Sequence, residues 1–154
     1  MIKILVVSDS HGNSEDIKTL VNETEFNYMF FLGDTLMDVE NLKLDNLIKV
    51  RGNWDYDFST KSIITVKIEN VKFLLLHGHG FGVKHGLGYL IKEAEKEKVD
   101  FVCYGHTHMS NLEYVNGIGY LNPGAFSYAK NGKKTYAVLT LENGKVSAEI
   151  KYFK

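Results

Sequence analysis

The sequence predicts an α/β protein built as a four-layer α/β/β/α sandwich, with two mixed β-sheets stacked face to face and helices on the outside. Three observations carry that expectation. Over the first hundred residues short apolar runs alternate with helical patterns, which is how βαβ units read. Runs such as Phe101-Val102-Cys103-Tyr104 are continuously apolar, as in strands covered on both faces. The last third changes to short strands separated by turn residues, Asn116-Gly117 and Asn143-Gly144 among them, the strongest short-range signal for hairpins. At 154 residues the chain is expected to be one domain, residues 1–154, long enough to bury a core without staples.

Taken in order, a first strand is expected at about residues 2–8, followed by Asp9-Ser10-His11-Gly12-Asn13. Asn13 or Ser14 is placed to cap a helix in which Ile17, Leu20 and Val21 recur at helical spacing. The return to a strand at 28–32 makes a right-handed βαβ unit. Residues 35–46 are weakly patterned, with a short helix expected around 37–42 before a strand at 47–51. The runs at 62–68 and 71–76 flank Glu69-Asn70 and read as an antiparallel hairpin. Residues 78–88 hold five glycines interleaved with His79 and His85, a composition that lets backbone approach a ligand closely. An amphipathic helix is expected at 87–98, with Leu90, Ile91 and Ala94 on one face. After a strand at 100–104 come hairpin strands at 111–115, 118–121, 134–141 and 145–153. No repeat, linker or low-complexity tract interrupts the chain.

Composition sets bounds on function. With 18 basic and 19 acidic residues the formal charge is −1, which gives no polycationic footprint and argues against extended nucleic-acid binding. Cys103 is the only cysteine, so no internal disulfide can form, which fits a reducing compartment. The N-terminal apolar run reaches Ser8-Asp9 too soon for a signal peptide, and no run approaches the ~20 apolar residues of a membrane span. A cytoplasmic location without membrane contact is therefore expected. Apolar surface on the hairpins leaves room for a homodimer.

The chemistry is concentrated at strand ends. Five apolar runs end in Asp9-Ser10-His11, Gly33-Asp34, Gly52-Asn53-Trp54-Asp55, His77-Gly78-His79 and Gly105-His106-Thr107-His108. Strand ends are where open α/β sheets keep their ligands. Asp9, His11, Asp34, Asn53, His77, His106 and His108 form a set of oxygen and nitrogen donors without thiolate, which suits Mn²⁺, Fe, Zn²⁺ or Ni²⁺ and not a structural cysteine-zinc site. Seven donors exceed what one transition metal takes and suit two ions sharing a bridge. The His106-Thr107-His108 spacing agrees: in an extended backbone alternate side chains point to opposite faces, so the two imidazoles serve adjacent ions better than one.

In that order, these five motifs resemble the calcineurin-like metallophosphoesterases, and the short chain with its Gly-Asn-x-Asp form is most similar to the small YfcE-like phosphodiesterase branch. The resemblance spans roughly residues 3–128 and implies the same four-layer sandwich. It implies two divalent ions, Mn²⁺ foremost with Ni²⁺, Zn²⁺ or Fe as alternatives, the first held by Asp9, His11 and His108 and the second by Asn53, His77 and His106, with Asp34 bridging. It implies hydrolysis of a phosphodiester small molecule by a metal-activated hydroxide, without a phospho-enzyme. Asn53 and His79 are expected to take part in catalysis. Asp55 is expected to act from outside the ligand set, orienting a ligand imidazole or a neighbouring loop.

One departure matters. Phosphomonoesterases of this type carry a His after the Asn as a candidate general acid, and here that place is Trp54, whose indole cannot supply a proton. Diesters with good leaving groups are therefore expected as substrates, or a substitute acid such as His79 or His85. Trp54 itself is either a wall of the pocket or core filler. The rival readings are a phosphomonoesterase or nucleotide phosphatase, and a non-catalytic scaffold like the small subunit of the retromer coat, which resembles this branch but has lost part of the metal set. Here all seven positions carry competent donors.

Overall fold

Strand β1 (Ile2–Val7) is buried over its last four residues because both of its faces are covered. Ile4 and Val6 pack to one side and Leu5 and Val7 to the other, the period of two that a pleated strand imposes. The computed structural model describes residues 1–127 and 132–154, so Tyr128, the last residue of the family resemblance, lies outside the described residues.

The remaining elements are α1 (Ser14–Glu23), β2 (Tyr28–Phe31), β3 (Leu47–Lys49), β4 (Ile63–Ile68), β5 (Val71–Leu76), α2 (Gly88–Glu97), β6 (Phe101–Cys103), β7 (Asn111–Val115), β8 (Ile118–Asn122), β9 (Thr135–Glu142) and β10 (Lys145–Tyr152). One sheet runs β10-β9-β1-β2-β3, with β1, β2 and β3 parallel and the β9–β10 hairpin added antiparallel to β1. The other runs β4-β5-β6-β8-β7, with β5, β6 and β8 parallel and antiparallel edges. Each sheet thus contains three adjacent parallel strands, so the chemistry-bearing ends of those strands share one edge.

Three apolar cores separate four layers, as the sequence predicts. Ile4, Val6 and Phe30 of one sheet meet Phe73, Leu75, Phe101 and Leu121 of the other. Phe73 makes edge-on contacts with Phe30 at 5.3 Å and Phe101 at 6.1 Å between ring centroids. Truncating such a fully buried ring costs about 3–5 kcal/mol. Ile17 and Leu20 of α1 cover Leu5, Met29 and Phe31, while Leu90 and Ala94 of α2 cover Leu74, Leu76 and Val102.

The differences from expectation are local. The short helix expected at 37–42 is a 3-10 turn at Leu36–Val39, opened by the Asp38 N–H donating to Thr35 O at 3.1 Å. Asn13 occupies the cap position of α1 without capping it: its amide donates to Ser10 O at 2.6 Å, and its oxygen accepts from Lys134 Nζ at 3.0 Å. Strands expected to run to residues 8, 51 and 104 stop at Val7, Lys49 and Cys103. No helix among the described residues is long and apolar enough to cross a membrane.

Candidate metal centre

β1, β2 and β3 from one sheet and β5 and β6 from the other all release their chains at the same edge, and the loops that follow interlock. The Asp9 N–H donates to Gly33 O at 2.9 Å, the His11 N–H to Asp34 O at 3.1 Å, and the Gly105 N–H to His77 O at 2.9 Å. Five of the seven candidate donors sit in these loops with left-handed backbone: Asp9, His11, Asp34, His106 and His108 have φ between 41° and 75°. Each such non-glycine residue costs about 1–3 kcal/mol and persists only where its surroundings hold it, a pattern typical of functional sites. This geometry revises one premise of the sequence reading. His106 and His108 diverge because their loop is coiled, not because it is extended.

Asp9 is the centre of the arrangement. It is fully buried; its Oδ2 accepts from Ser8 Oγ at 2.6 Å and from the His106 N–H at 3.1 Å. Its Oδ1 is buried without a hydrogen-bond partner and faces His108 Nε2 at 3.2 Å, His77 Nε2 at 3.6 Å and His11 Nε2 at 3.7 Å. A buried carboxylate oxygen in that condition is costly unless a cation meets it. Burial alone would push the Asp9 carboxyl up, but His108, His11 and the charge of His77 outweigh it and hold the group well below the usual carboxylate range. The residues present therefore fit a bound cation.

Among the described residues, two groups of ligand atoms lie close enough to hold an ion: Asp9 with His11 and His108, and Asp9 with Asp34 and His77. Asp9 is thus the shared residue, a place the resemblance gives to Asp34. Asp34 Oδ2 lies 3.2 Å from His77 Nε2, and Asp34 Oδ1 accepts the Trp54 N–H at 3.0 Å. His77 Nδ1 contacts Leu32 O at 2.7 Å, so the ring donates there and turns Nε2 toward the carboxylates. The imidazole of His106 closes on the same group, its Nδ1 3.3 Å from His77 Nε2. Burial depresses the His77 pKa, yet the contacts with Asp34 and Asp9 raise it overall; Asp9 likewise raises that of His11. His106 goes the other way, down to about 4, through burial and the charges of His77 and Lys84.

Asn53 is exposed. His79 is largely exposed, its ring 5.6 Å from that of His77 and 6.3 Å from that of His106, and partial desolvation together with the charge of His77 lowers its pKa. His85 is exposed and belongs to neither ligand group. Asp55 touches no imidazole: it is buried, and its carboxylate accepts the N–H groups of Asp34, Gly52 and Leu36 at 2.8–2.9 Å. Of its two expected roles the structure displays the loop-holding one. Trp54 is 62 % exposed, so it is not core filler.

Several positioning residues escape the sequence reading. Asp38 accepts from Ser10 Oγ at 2.6 Å and the Gly12 N–H at 2.8 Å and so shapes the Asp9-to-His11 loop. Asn122, the last residue of β8, is fully buried and donates to Gly105 O and Thr107 Oγ1, tying down the His106 loop. Gly52 and Gly105 pack so tightly that a Cβ would stand 2.0 Å from Asp34 Oδ1 and 2.2 Å from Ser8 Oγ respectively. Glycines before Asn53 and His106 were the available signal. Beside His106 and His108 lies a cavity of about 930 Å³, also lined by Lys84, Tyr104 and Met109.

Residues 2–144 match the model of the calcineurin-like phosphoesterase superfamily domain. The chain is 32% identical over 145 residues to the probable metallophosphoesterase YsnB of Bacillus subtilis, covering 92% of this chain and 86% of that protein. It is 28% identical over 160 residues to the phosphodiesterase YfcE of Escherichia coli, covering 86% and 83%. A crystal structure of a predicted phosphoesterase from Streptococcus pneumoniae superposes with a TM-score of 0.87 at 22% identity, covering 98% of this chain and 89% of that one.

Proposed function

The chain belongs to the calcineurin-like phosphoesterase superfamily, and from that premise we propose that it hydrolyses phosphodiesters at a centre of two divalent ions. The observation that carries the reading is Asp9 Oδ1, buried, without a hydrogen-bond partner and ringed by three imidazole nitrogens. Asp9, His11 and His108 would hold one ion and Asn53, His77 and His106 the other, with Asp34 between them; Mn²⁺ is the ion proposed, and Ni²⁺, Zn²⁺ or Fe suit the same donors. Divalent ions bound there supply Lewis acidity toward the phosphoryl group and make water a competent nucleophile near neutral pH.

The protein's part is to aim and to balance charge. Ser8 and the His106 N–H occupy one oxygen of Asp9 and leave the other facing the imidazoles; the Trp54 N–H does the same for Asp34. Two carboxylates only partly neutralise two divalent cations, and Asn53 adds no negative charge, so the site attracts a phosphate. Proton supply to the leaving group is weak. Trp54 has none to give, and partial burial together with the charge of His77 lowers the pKa of His79, which disfavours its protonated form. Diesters with good leaving groups, such as aryl esters, follow as substrates, and the cavity beside His106 and His108 has room for a substituent. The lone buried thiol of Cys103 supports a cytoplasmic location. A homodimer would form through exposed apolar side chains on the hairpin edge strands, such as Tyr114 of β7 and Tyr152 of β10.

The test is metal content and activity measured together. Purified protein with Mn²⁺ should hold two ions per chain by elemental analysis and cleave bis(4-nitrophenyl) phosphate faster than 4-nitrophenyl phosphate. His106→Ala should lose one ion and the activity. Faster cleavage of the monoester would favour a phosphomonoesterase, and a folded chain that binds no metal would favour the scaffold.

A further inference from the structure

We propose that Trp54 is a stacking platform that selects phosphodiesters carrying a flat aromatic substituent on phosphorus, an inference that rests on the phosphodiesterase reading. Trp54 is the only tryptophan in the chain and is 62 % exposed, an unusual setting for the largest apolar side chain. Its position is not that of a loose loop tip. The Asp55 N–H donates to Gly52 O at 3.2 Å and closes a four-residue turn with Trp54 at its third position, and the Trp54 N–H is fixed on Asp34 Oδ1 at 3.0 Å. Asp55 then ties that turn to the Asp34-to-Leu36 loop by accepting the N–H groups of Asp34 and Leu36, while the Gly52 N–H bonds to the same carboxylate within the turn.

The backbone of Trp54 is thus anchored beside the ligand groups while its ring is left uncovered. Asp34, whose Oδ1 holds the Trp54 backbone, presents its Oδ2 to His77 Nε2 at 3.2 Å. Further apolar side chains are exposed on the same two loops: Tyr56 at 78 %, Phe58 at 73 % and Met37 at 73 %. Exposed apolar side chains on the loops that frame a strongly polar centre suit a ligand with a charged phosphate and a flat apolar group. An indole offers such a group a π-face without demanding a particular hydrogen-bond pattern. A monoester of a polar alcohol would gain nothing from it.

Two probes that differ only in the ring decide the matter: phenylphosphonate and methylphosphonate, neither of which the enzyme can hydrolyse. As competitive inhibitors of bis(4-nitrophenyl) phosphate cleavage by the metal-loaded protein, phenylphosphonate should bind about ten-fold more tightly, the scale of one aromatic stack. Trp54→Ala should bring the two inhibition constants together, and Trp54→Phe should keep most of the difference. Independently of turnover, the fluorescence of the single tryptophan should be quenched saturably by phenylphosphonate and not by methylphosphonate. Equal constants in the unaltered protein, a ratio insensitive to Trp54→Ala, or equal or absent quenching would each overturn the proposal. If the unaltered protein cleaves no phosphodiester with any of the metals, the underlying reading fails, while the fluorescence titration still decides the stacking.

Discussion

Replacing Asp55 by Asn separates a loop-holding residue from a chemical one. The Asp55 carboxylate accepts three buried N–H groups, those of Asp34 and Gly52 on Oδ2 and that of Leu36 on Oδ1. In Asp55→Asn one oxygen becomes an NH₂. Keeping the amide oxygen where it serves two donors leaves the NH₂ pointing at the Leu36 N–H, which is orphaned at a cost of about 1–3 kcal/mol. The two surviving bonds lose their charge assistance, so the total is roughly 2–4 kcal/mol. For a domain of this size that lowers the melting temperature by about 5–15 °C. Urea and thermal unfolding of the chelator-treated protein, followed by circular dichroism, measure it without interference from bound metal. An unfolding midpoint equal to that of the unaltered protein, with activity lost, would refute the reasoning and place Asp55 in the chemistry itself.

Three further outcomes are expected. Gly105→Ala puts a methyl 2.2 Å from Ser8 Oγ and 2.8 Å from Asp9 Oδ2, so the aim of the Asp9 carboxylate shifts. Its metal affinity should fall by about ten- to a hundred-fold in calorimetric titration. Metal affinity should also fall on acidification. The pKa values of His11 and His77 are raised, so in chelator-treated protein these rings already carry protons as the pH drops below their folded values, above pH 6.5, and an ion must displace them. By the same sign their pairing with the carboxylates stabilises the ion-free fold fully below pH 6.5 and is lost as the pH rises through the folded values. His106, down at about 4, stays neutral over this range and does not compete. Proton release during titration, compared across buffers of different ionisation enthalpy, reads the effect; a pH-independent affinity between 6 and 8 would contradict it. Finally, burial pushes the Cys103 thiol far up, so Ellman's reagent should react with it only after unfolding.

Much of this protein is legible in local sequence because the physics that sets it is local. Strand β5 shows the logic: Phe73 to Leu76 is continuously apolar because Phe73 and Leu75 face one core and Leu74 and Leu76 the other, so the run itself announces a strand covered on both sides. The hairpin turns at Asn116-Gly117 and Asn143-Gly144 announce themselves through their left-handed backbone, which Asn and Gly tolerate. The five motifs at strand ends are short enough to be read without knowing what lies across the sheet, and they carried the candidate metal donors and the family together.

Tertiary structure decided how those motifs meet. Asp9 and His106 are 97 positions apart, yet the backbone of one seats on the carboxylate of the other; no periodicity reports such a contact. Asp38 lies in a stretch that reads as a weak helix and Asn122 carries no local signal, and only the folded chain shows each holding one of the loops at the site. The left-handed turns at His106 and His108, the sharing of Asp9 by both ligand groups and the exposure of Trp54 belong to the same class. The sequence by itself determined which strands form and which donors stand at their ends, because side-chain periodicity and turn propensity act over a few residues. Which donor faces which was settled when two sheets closed on one another, because that depends on packing between segments far apart in the chain.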